Sequence, residues 1–252
     1  MSGRFDFYQR VHSKQSDYSG AVYDMATLAR SRSIRTWLDQ RRGAKIAILD
    51  IGCGKGVSLR DTLNELARSQ ISVRRVIGLD LLQSPGHVFA ALPSCFEFME
   101  CDLDGKDLPL PTDEFDLVIC NHVLEHIFET EHLLREIRRV MAPRGRAIIS
   151  VPNIAAWINR LLFLAASLPL GSEVGTESVS YGFWPRFLQK WLNAFQPAGH
   201  IRAFTPRALR DLCHACGFLE VGWWNQSGWP LFPLTKWAGR NIGIILSVET
   251  TK

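Results

Sequence analysis

Residues 46–56 constrain this chain more than any other stretch. Residues 46–51 are apolar except for Asp50 and run straight into Gly52, Gly54 and Gly56. A short continuous apolar run ending in glycine is the pattern of a parallel strand buried on both faces. Alternating glycines let the backbone turn sharply, approach a ligand closely and enter a helix at once. The spacing departs from the dinucleotide fingerprint GxGxxG, because the third glycine comes one residue early. Asp50 also lies inside the motif, where a carboxylate repels a pyrophosphate and suits a ligand carrying an ammonium group.

From this loop onward, strand-like and helix-like segments alternate. A helix over residues 57–68 places Leu59, Leu63 and Leu66 on one face. Strands are expected at 75–80, 96–100 and 115–121, with a short helix near 86–92. An amphipathic helix over 131–141 stops at Pro143-Arg144-Gly145, and a strand follows at 146–151. Between residues 152 and 205 the rhythm breaks into two helix-like stretches, 155–168 and 185–195, around a polar segment, 171–180. A helix then starts with Thr205 as N-cap and Pro206 at the first helical position. Two closing strands follow, at 218–224 and 241–248. The expectation is an α/β fold: a Rossmann-like, doubly wound, seven-stranded and mostly parallel sheet with a helical, aromatic-rich lid inserted after the fifth strand. The whole chain, 1–252, reads as a single domain, with 1–44 as an amino-terminal helical cap and 154–204 as the lid.

Composition narrows the function classes. With 46% hydrophobic residues and a net charge of +4, disorder is excluded. No stretch approaches the ~18–20 apolar residues of a membrane span. The first 45 residues carry an excess of five positive charges, which reads as a solvated helix or as an arm facing an anionic surface. The six cysteines lack disulfide-framework spacing and no signal peptide precedes the domain, so reduced thiols in a cytoplasmic protein are expected. Cys213-His214-Ala215-Cys216 mimics a redox pair but sits at helical spacing before Gly217, and reads as structural.

Further acids follow the glycine loop. Asp80 ends the second strand, 24 residues after Gly56, where a carboxylate accepts the ribose hydroxyls of an adenosine. Asp102 follows the third strand. Acids after three successive strands line the carboxyl edge of the sheet. On the motifs LDIGCGKG (49–56), VIGLD (76–80), CDL (101–103), FDLVICNHVLEHI (115–127), LLREIRRVMAPRGRAIISVPN (133–153) and GHIRAFTPRALRDL (199–212), the chain resembles class I S-adenosylmethionine-dependent methyltransferases of the broad "type 11" small-molecule group. The resemblance implies S-adenosyl-L-methionine as cofactor. It places Asp50, Gly52, Cys53, Gly54 and Gly56 at the methionine moiety and Asp80 with Leu81 at the ribose. Asp102 and Leu103 then border the adenine, and Asn121 and His122 lie near the sulfonium.

His122-Val123-Leu124-Glu125-His126 matches the HxxEH zinc-hydrolase signature, yet it directly follows a buried strand, as a methyltransferase loop does. Some ubiquinone-biosynthesis and small-RNA O-methyltransferases carry ExxEH here and hold a divalent metal; this chain has His122 in place of the first Glu. No metal ligand is therefore assigned. Glu125, His126 and His200 are the candidate catalytic residues, either histidine serving as general base toward a hydroxyl. Seven of the eight tryptophans lie after residue 150. Rings in the lid suit a sugar face, a quinone or a membrane interface. The preferred acceptor is a hydroxyl on a sugar, glycolipid or cell-surface glycan precursor, and the alternative is a prenylated quinone or phenol. A non-catalytic cofactor-binding subunit is a remote third reading. Nucleic acid is not expected as a partner. A peripheral contact at the inner membrane face is expected for the lid and for residues 227–237.

Overall fold

The first strand, β1 (Lys45–Ile51), is buried from Ile46 onward. Its side chains alternate between the two faces of a sheet, so each face needs its own cover. Ile46 and Ile48 pack with Trp37, Leu59 and Leu66, whereas Ala47, Leu49 and Ile51 pack with Leu133, Leu134, Ile137 and Leu209. The chain is described here from a computed structural model over residues 32–82, 89–183, 197–226 and 241–247.

The helices that supply these covers are α1 (Arg32–Asp39) and α2 (Val57–Arg68) on one side. On the other stand α3 (Thr130–Val140) and α5 (Pro206–Ala215). Between them lie β2 (Ser72–Asp80), β3 (Phe96–Glu100), β4 (Phe115–Asn121), β5 (Met141–Pro152), β6 (Leu219–Gln226) and β7 (Asn241–Ser247). The sheet order is β3-β2-β1-β4-β5-β7-β6. The first five strands pair in parallel, and β7 runs antiparallel to both β5 and β6. Seven strands, mostly parallel and covered on both faces, match the expected fold. Parallel pairing brings the carboxyl ends of β1 to β5 to one edge, where ligands of such sheets bind.

Three elements depart from the sequence reading by three residues or more. β2 begins at Ser72, three residues early, because Ser72 and Val73 already pair with Lys45 and Ile46. Pro143-Arg144-Gly145 does not separate α3 from the next strand; β5 starts at Met141 and absorbs the three residues as an irregularity facing Phe115–Leu117. Arg144 takes a φ of 63°, and its carbonyl accepts from Trp37 Nε1 at 3.2 Å and from the Arg41 guanidinium at 2.7 Å. A bulge there lets α1 dock, which local turn chemistry does not reveal. The helix expected over 155–168 is shorter, α4 (Trp157–Leu164). It ends where Ala166 takes a φ of 52°, and Asn159 ties it to the returning chain, its amide oxygen accepting from Leu170 N and its NH₂ donating to the Asn153 and Leu170 carbonyls.

Near residues 86–92 only a single 3₁₀ turn, Phe89–Ala91, is described. The arm before residue 32, the stretch 185–195, and Trp184, Trp191, Trp229 and Trp237 lie outside the described residues. In the part of the insertion that is described, Leu162 and Phe183 form a small apolar cluster with Ile158, Leu170 and Val179. Among the described residues, no helix is long and apolar enough to cross a membrane.

Candidate functional site

The glycine loop is held by the strand next to it. Gly52 N and Cys53 N both donate to the Leu79 carbonyl, at 2.8 and 3.0 Å. Gly52, Gly54 and Gly56 have φ of 68°, 51° and 77°, the left-handed region that side-chain-bearing residues avoid. A Cβ on Gly52 would overlap the Val123 side chain, and one on Gly56 would stand 2.8 Å from the Phe89 ring. Two post-strand segments therefore close on the loop, and only glycine fits between them. The thiol of Cys53 is buried, facing Gly78, and burial raises its pKa far above the ordinary range. Cys53 thus meets a ligand only through its backbone.

Asp80 organises the other side. Its Oδ2 accepts from Gly54 N and its Oδ1 from Leu81 N, both at 2.8 Å. The carbonyl of Asp80 receives Cys101 N, which sets Asp102 and Leu103 beside it. Leu103 is buried in the core, whereas Asp102 is partly open and near Lys106 Nζ at 3.9 Å. Asn121, ending β4, donates to Ser58 Oγ at 3.0 Å and accepts from Ser150 Oγ at 2.8 Å. Ser58 and Ser150 were not singled out from the sequence, because serines on a helix and a strand carry no signal until the fold pairs them.

Asp50 is 2% exposed, and its Oδ2 has no hydrogen-bond partner among the described residues. Burial, followed by the charge of Asp80, pushes its carboxyl up to about 8. A buried carboxylate oxygen without a donor is costly, and a ligand ammonium arriving at the loop supplies the missing donor and charge. The donor set therefore fits the aminoacyl end of S-adenosylmethionine, and the neighbouring Asp80 fits a sugar diol.

A second cluster lies beyond β4. His122 takes a φ of 56°, and its backbone N–H bonds the Ser150 carbonyl. This strained start folds the chain into the 3₁₀ turn Leu124–His126 and buries Glu125 to 1% exposure. Glu125 Oε1 lies 3.1 Å from His122 Nδ1 and 4.0 Å from His200 Nε2; its Oε2 has no hydrogen-bond partner among the described residues. Desolvation alone would raise the Glu125 pKa, but the His122 hydrogen bond and the three histidines outweigh it and lower it. His126 Nδ1 bonds the Gly199 carbonyl at 3.1 Å, and His200 Nδ1 bonds the Gly171 carbonyl at 2.9 Å. A carbonyl can only accept, so each ring carries its proton on Nδ1 and its lone pair on Nε2. The rings stand 4.9 Å apart. Burial lowers the pKa of His126 and keeps it neutral.

All three candidate catalytic residues are thus brought together. Glu125, His126 and His200 offer ligand atoms within 4.8 Å of one another, a metal-capable geometry where the sequence reading assigned no ligand. Their framework includes Glu173, whose carboxylate accepts from Ala198 N and Gly199 N at 2.7 and 2.8 Å. The sequence placed Glu173 in a polar segment without a role, because its partners lie 25 residues on. At Cys213 and Cys216 the structural reading holds: both are buried in and after α5, and burial pushes the Cys213 thiol up to about 12.

The chain is 34% identical over 107 residues to a probable S-adenosylmethionine-dependent methyltransferase of Mycolicibacterium smegmatis, covering 42% of this chain and 38% of that one. It is 30% identical over 220 residues to the ubiquinone biosynthesis O-methyltransferase of Aeromonas salmonicida, covering 84% of this chain and 80% of that one. A crystal structure of an S-adenosylmethionine-dependent methyltransferase from Mesorhizobium loti shares the fold, with a TM-score of 0.55, 19% identity, and 85% and 95% coverage. The chain spans about a third to a half of the length of several curated relatives it matches. The methyltransferase domain family matches residues 23–220. The chain belongs to that family, the class I S-adenosylmethionine-dependent methyltransferases.

Proposed function

We propose that this chain transfers a methyl group from S-adenosylmethionine to a hydroxyl oxygen at the carboxyl edge of its sheet. The observation that carries the reading is Asp50: a buried carboxylate oxygen without a donor among the described residues, beside Asp80 and a loop whose left-handed backbone only glycine adopts freely. Asp50 and the backbone of Gly52–Gly56 would hold the aminoacyl end of the cofactor. Asp80, with Leu81 and Asp102, would hold the adenosine, and Asn121 and His122 would border the reacting centre.

Bound there, the cofactor supplies an electrophilic methyl carbon on a sulfonium, displaced in line by the acceptor oxygen. The chain's own task is alignment and exclusion of water, a contribution of roughly 7–11 kcal/mol when geometry is good. The hydroxyl proton passes to Nε2 of His126 or His200, whose Nδ1 protons are anchored on backbone carbonyls. Glu125 lies against both rings and stabilises the imidazolium that forms, a base contribution of about 10²–10⁴-fold.

A prenylated quinone or phenol is the acceptor class favoured by the Aeromonas relative, whose name states that activity. A sugar or glycolipid hydroxyl is the second reading, supported by the half-exposed Tyr181 ring in the insertion, which offers a stacking face. A metal-assisted variant has its own support in the convergence of Glu125, His126 and His200. Two imidazoles and one carboxylate suit a borderline cation such as Zn²⁺ or Mn²⁺ better than Mg²⁺. Such a cation would polarise the acceptor oxygen.

Incubation with methyl-labelled S-adenosylmethionine and cell extract, fractionated into lipid, quinone and polysaccharide pools, tests the proposal. Label in one of these pools is expected; label only in protein or RNA refutes it. Chelator-sensitive turnover restored by Zn²⁺ or Mn²⁺ selects the metal-assisted variant, and chelator-insensitive turnover selects the histidine base.

A further inference from the structure

Beside the candidate site, where β5 leaves the sheet, lies a cavity of about 370 Å³ lined by Ala155, Arg160, Thr205, Pro206, Arg207 and Arg210. Three guanidinium groups line one concave surface, and nothing in the cofactor reading uses them. Arg210 is partly compensated by Glu220 at 2.7 Å and lies over the Trp223 ring at 5.1 Å. Arg160 donates to the Ala155 carbonyl, just before its own helix, at 3.0 Å. Arg207 is exposed on the first turn of α5. Arg160 and Arg207 have no acidic partner among the described residues, so they leave the cavity net cationic.

The helix that supplies Arg160 has an unusual outer surface. In α4, Asn159 and Leu162 are buried, while Leu161, Phe163 and Leu164 are 52%, 58% and 86% exposed. Residues three and four apart on a helix are neighbours, so Leu164 lies beside both Arg160 and Leu161. An exposed leucine face directly bordering a cationic cavity is poorly suited to water alone. It is suited to an interface that is apolar on one side and negatively charged on the other.

We infer that α4 and this arginine cavity form a docking surface for an anionic phospholipid membrane. Leu161, Phe163 and Leu164 enter the acyl boundary, and Arg160, Arg207 and Arg210 engage lipid phosphates. Charge complementarity selects the occupant: guanidinium groups pair with phosphate oxygens as paired N–H donors, and the leucines exclude a purely soluble phosphate. The inference does not require the methyl acceptor to be a lipid, because vesicle binding and methyl transfer are read separately.

The test is sedimentation of the full chain with vesicles of phosphatidylcholine alone and of phosphatidylcholine with phosphatidylglycerol. At least about tenfold more protein should bind the anionic vesicles, less so at high salt, since each basic residue near the surface contributes roughly fivefold. R160E/R207E should reduce that binding about tenfold or more, and Leu164→Ser, on a side chain free to change, should reduce it several-fold. Both variants should bind S-adenosylmethionine as the parent chain does, which shows that the fold stands. Equal binding to both vesicle types, no binding to either, or anionic-vesicle binding unchanged in both variants overturns the inference. So does retention of soluble glycerol phosphate without vesicle binding.

Discussion

Gly52 and Asp50 have direct experimental consequences, because the first position admits only glycine and the second holds a buried carboxylate oxygen that lacks a donor among the described residues. Gly52→Ala forces a side chain into a left-handed backbone conformation and against Val123. The backbone term alone costs roughly 1–2 kcal/mol, so denaturant unfolding should show a loss above that, together with lost cofactor affinity. Gly43→Ala is the control: its φ is 80° but nothing lies within 4 Å of the added carbon, so only the backbone term remains. His126→Asn should lower kcat about 10²–10⁴-fold while leaving S-adenosylmethionine affinity intact. The sign of the pH dependence follows from burial. Because the folded pKa of His126 lies below the ordinary 6.5, its neutral form, the proton acceptor, persists into mildly acidic solution. The acid limb of kcat, measured at saturating S-adenosylmethionine, should therefore fall below pH 6.5 and disappear in His126→Asn. The unfolded chain takes up this proton first, so His126 makes the fold less stable as pH drops through 6.5. At this scale the sequence was informative where a residue type has few uses. Three alternating glycines with an acid among them already point to a ligand loop. Ser58, Ser150 and Glu173 were not legible, since their roles arise only from partners far along the chain.

Among the elements, α5 illustrates what local chemistry can specify. Thr205 and Pro206 mark its start, and the Thr205 hydroxyl indeed accepts from Ala208 N at 3.1 Å. Thr205→Ala should cost about 1 kcal/mol, read as a lowered unfolding midpoint with an unchanged m-value. The bounds of α2, β3 and β4 were equally legible, because apolar periodicity and glycine or proline punctuation coincide there. β5 was not. Its first turn out of α3 carries proline and glycine, a loop signature, yet Trp37 and Arg41 of the α1 segment stabilise a bulged strand in its place. Tertiary docking overrides local preference at that point. The insertion gives a further test at element scale. Glu173 fixes Ala198 and Gly199, and Gly199 in turn anchors His126. Glu173→Ala should therefore lower kcat with little change in S-adenosylmethionine affinity, whereas simple unfolding would lower both. Glu173 acts as a positioning residue, so its variant should keep the acid limb set by His126 at reduced amplitude.

On the scale of the molecule, the parallel strands deliver Asp50, Asp80, Asp102, Asn121 and Glu125 to one edge, and the insertion delivers His200 to the same edge. The front half, poor in tryptophan, contributes the glycines and acids to which the proposal assigns the cofactor. The later half supplies Glu173, His200, the arginine cavity and the exposed face of α4. The family was legible because its signature is short motifs at strand ends; the acceptor was not, because the insertion after β5 follows no general sequence rule. The central claim is that the Asp50 loop takes the cofactor's ammonium. In the free chain Asp50 holds its proton up to about pH 8, and an arriving ammonium favours the carboxylate. Cofactor binding should therefore expel that proton. Calorimetric titration with S-adenosylmethionine at pH 7, in buffers of different ionisation enthalpy, measures this directly. The account predicts binding with nearly one proton released, a release that vanishes above about pH 9 and in Asp50→Asn. Binding without proton release at pH 7, or no binding by a folded chain, contradicts it.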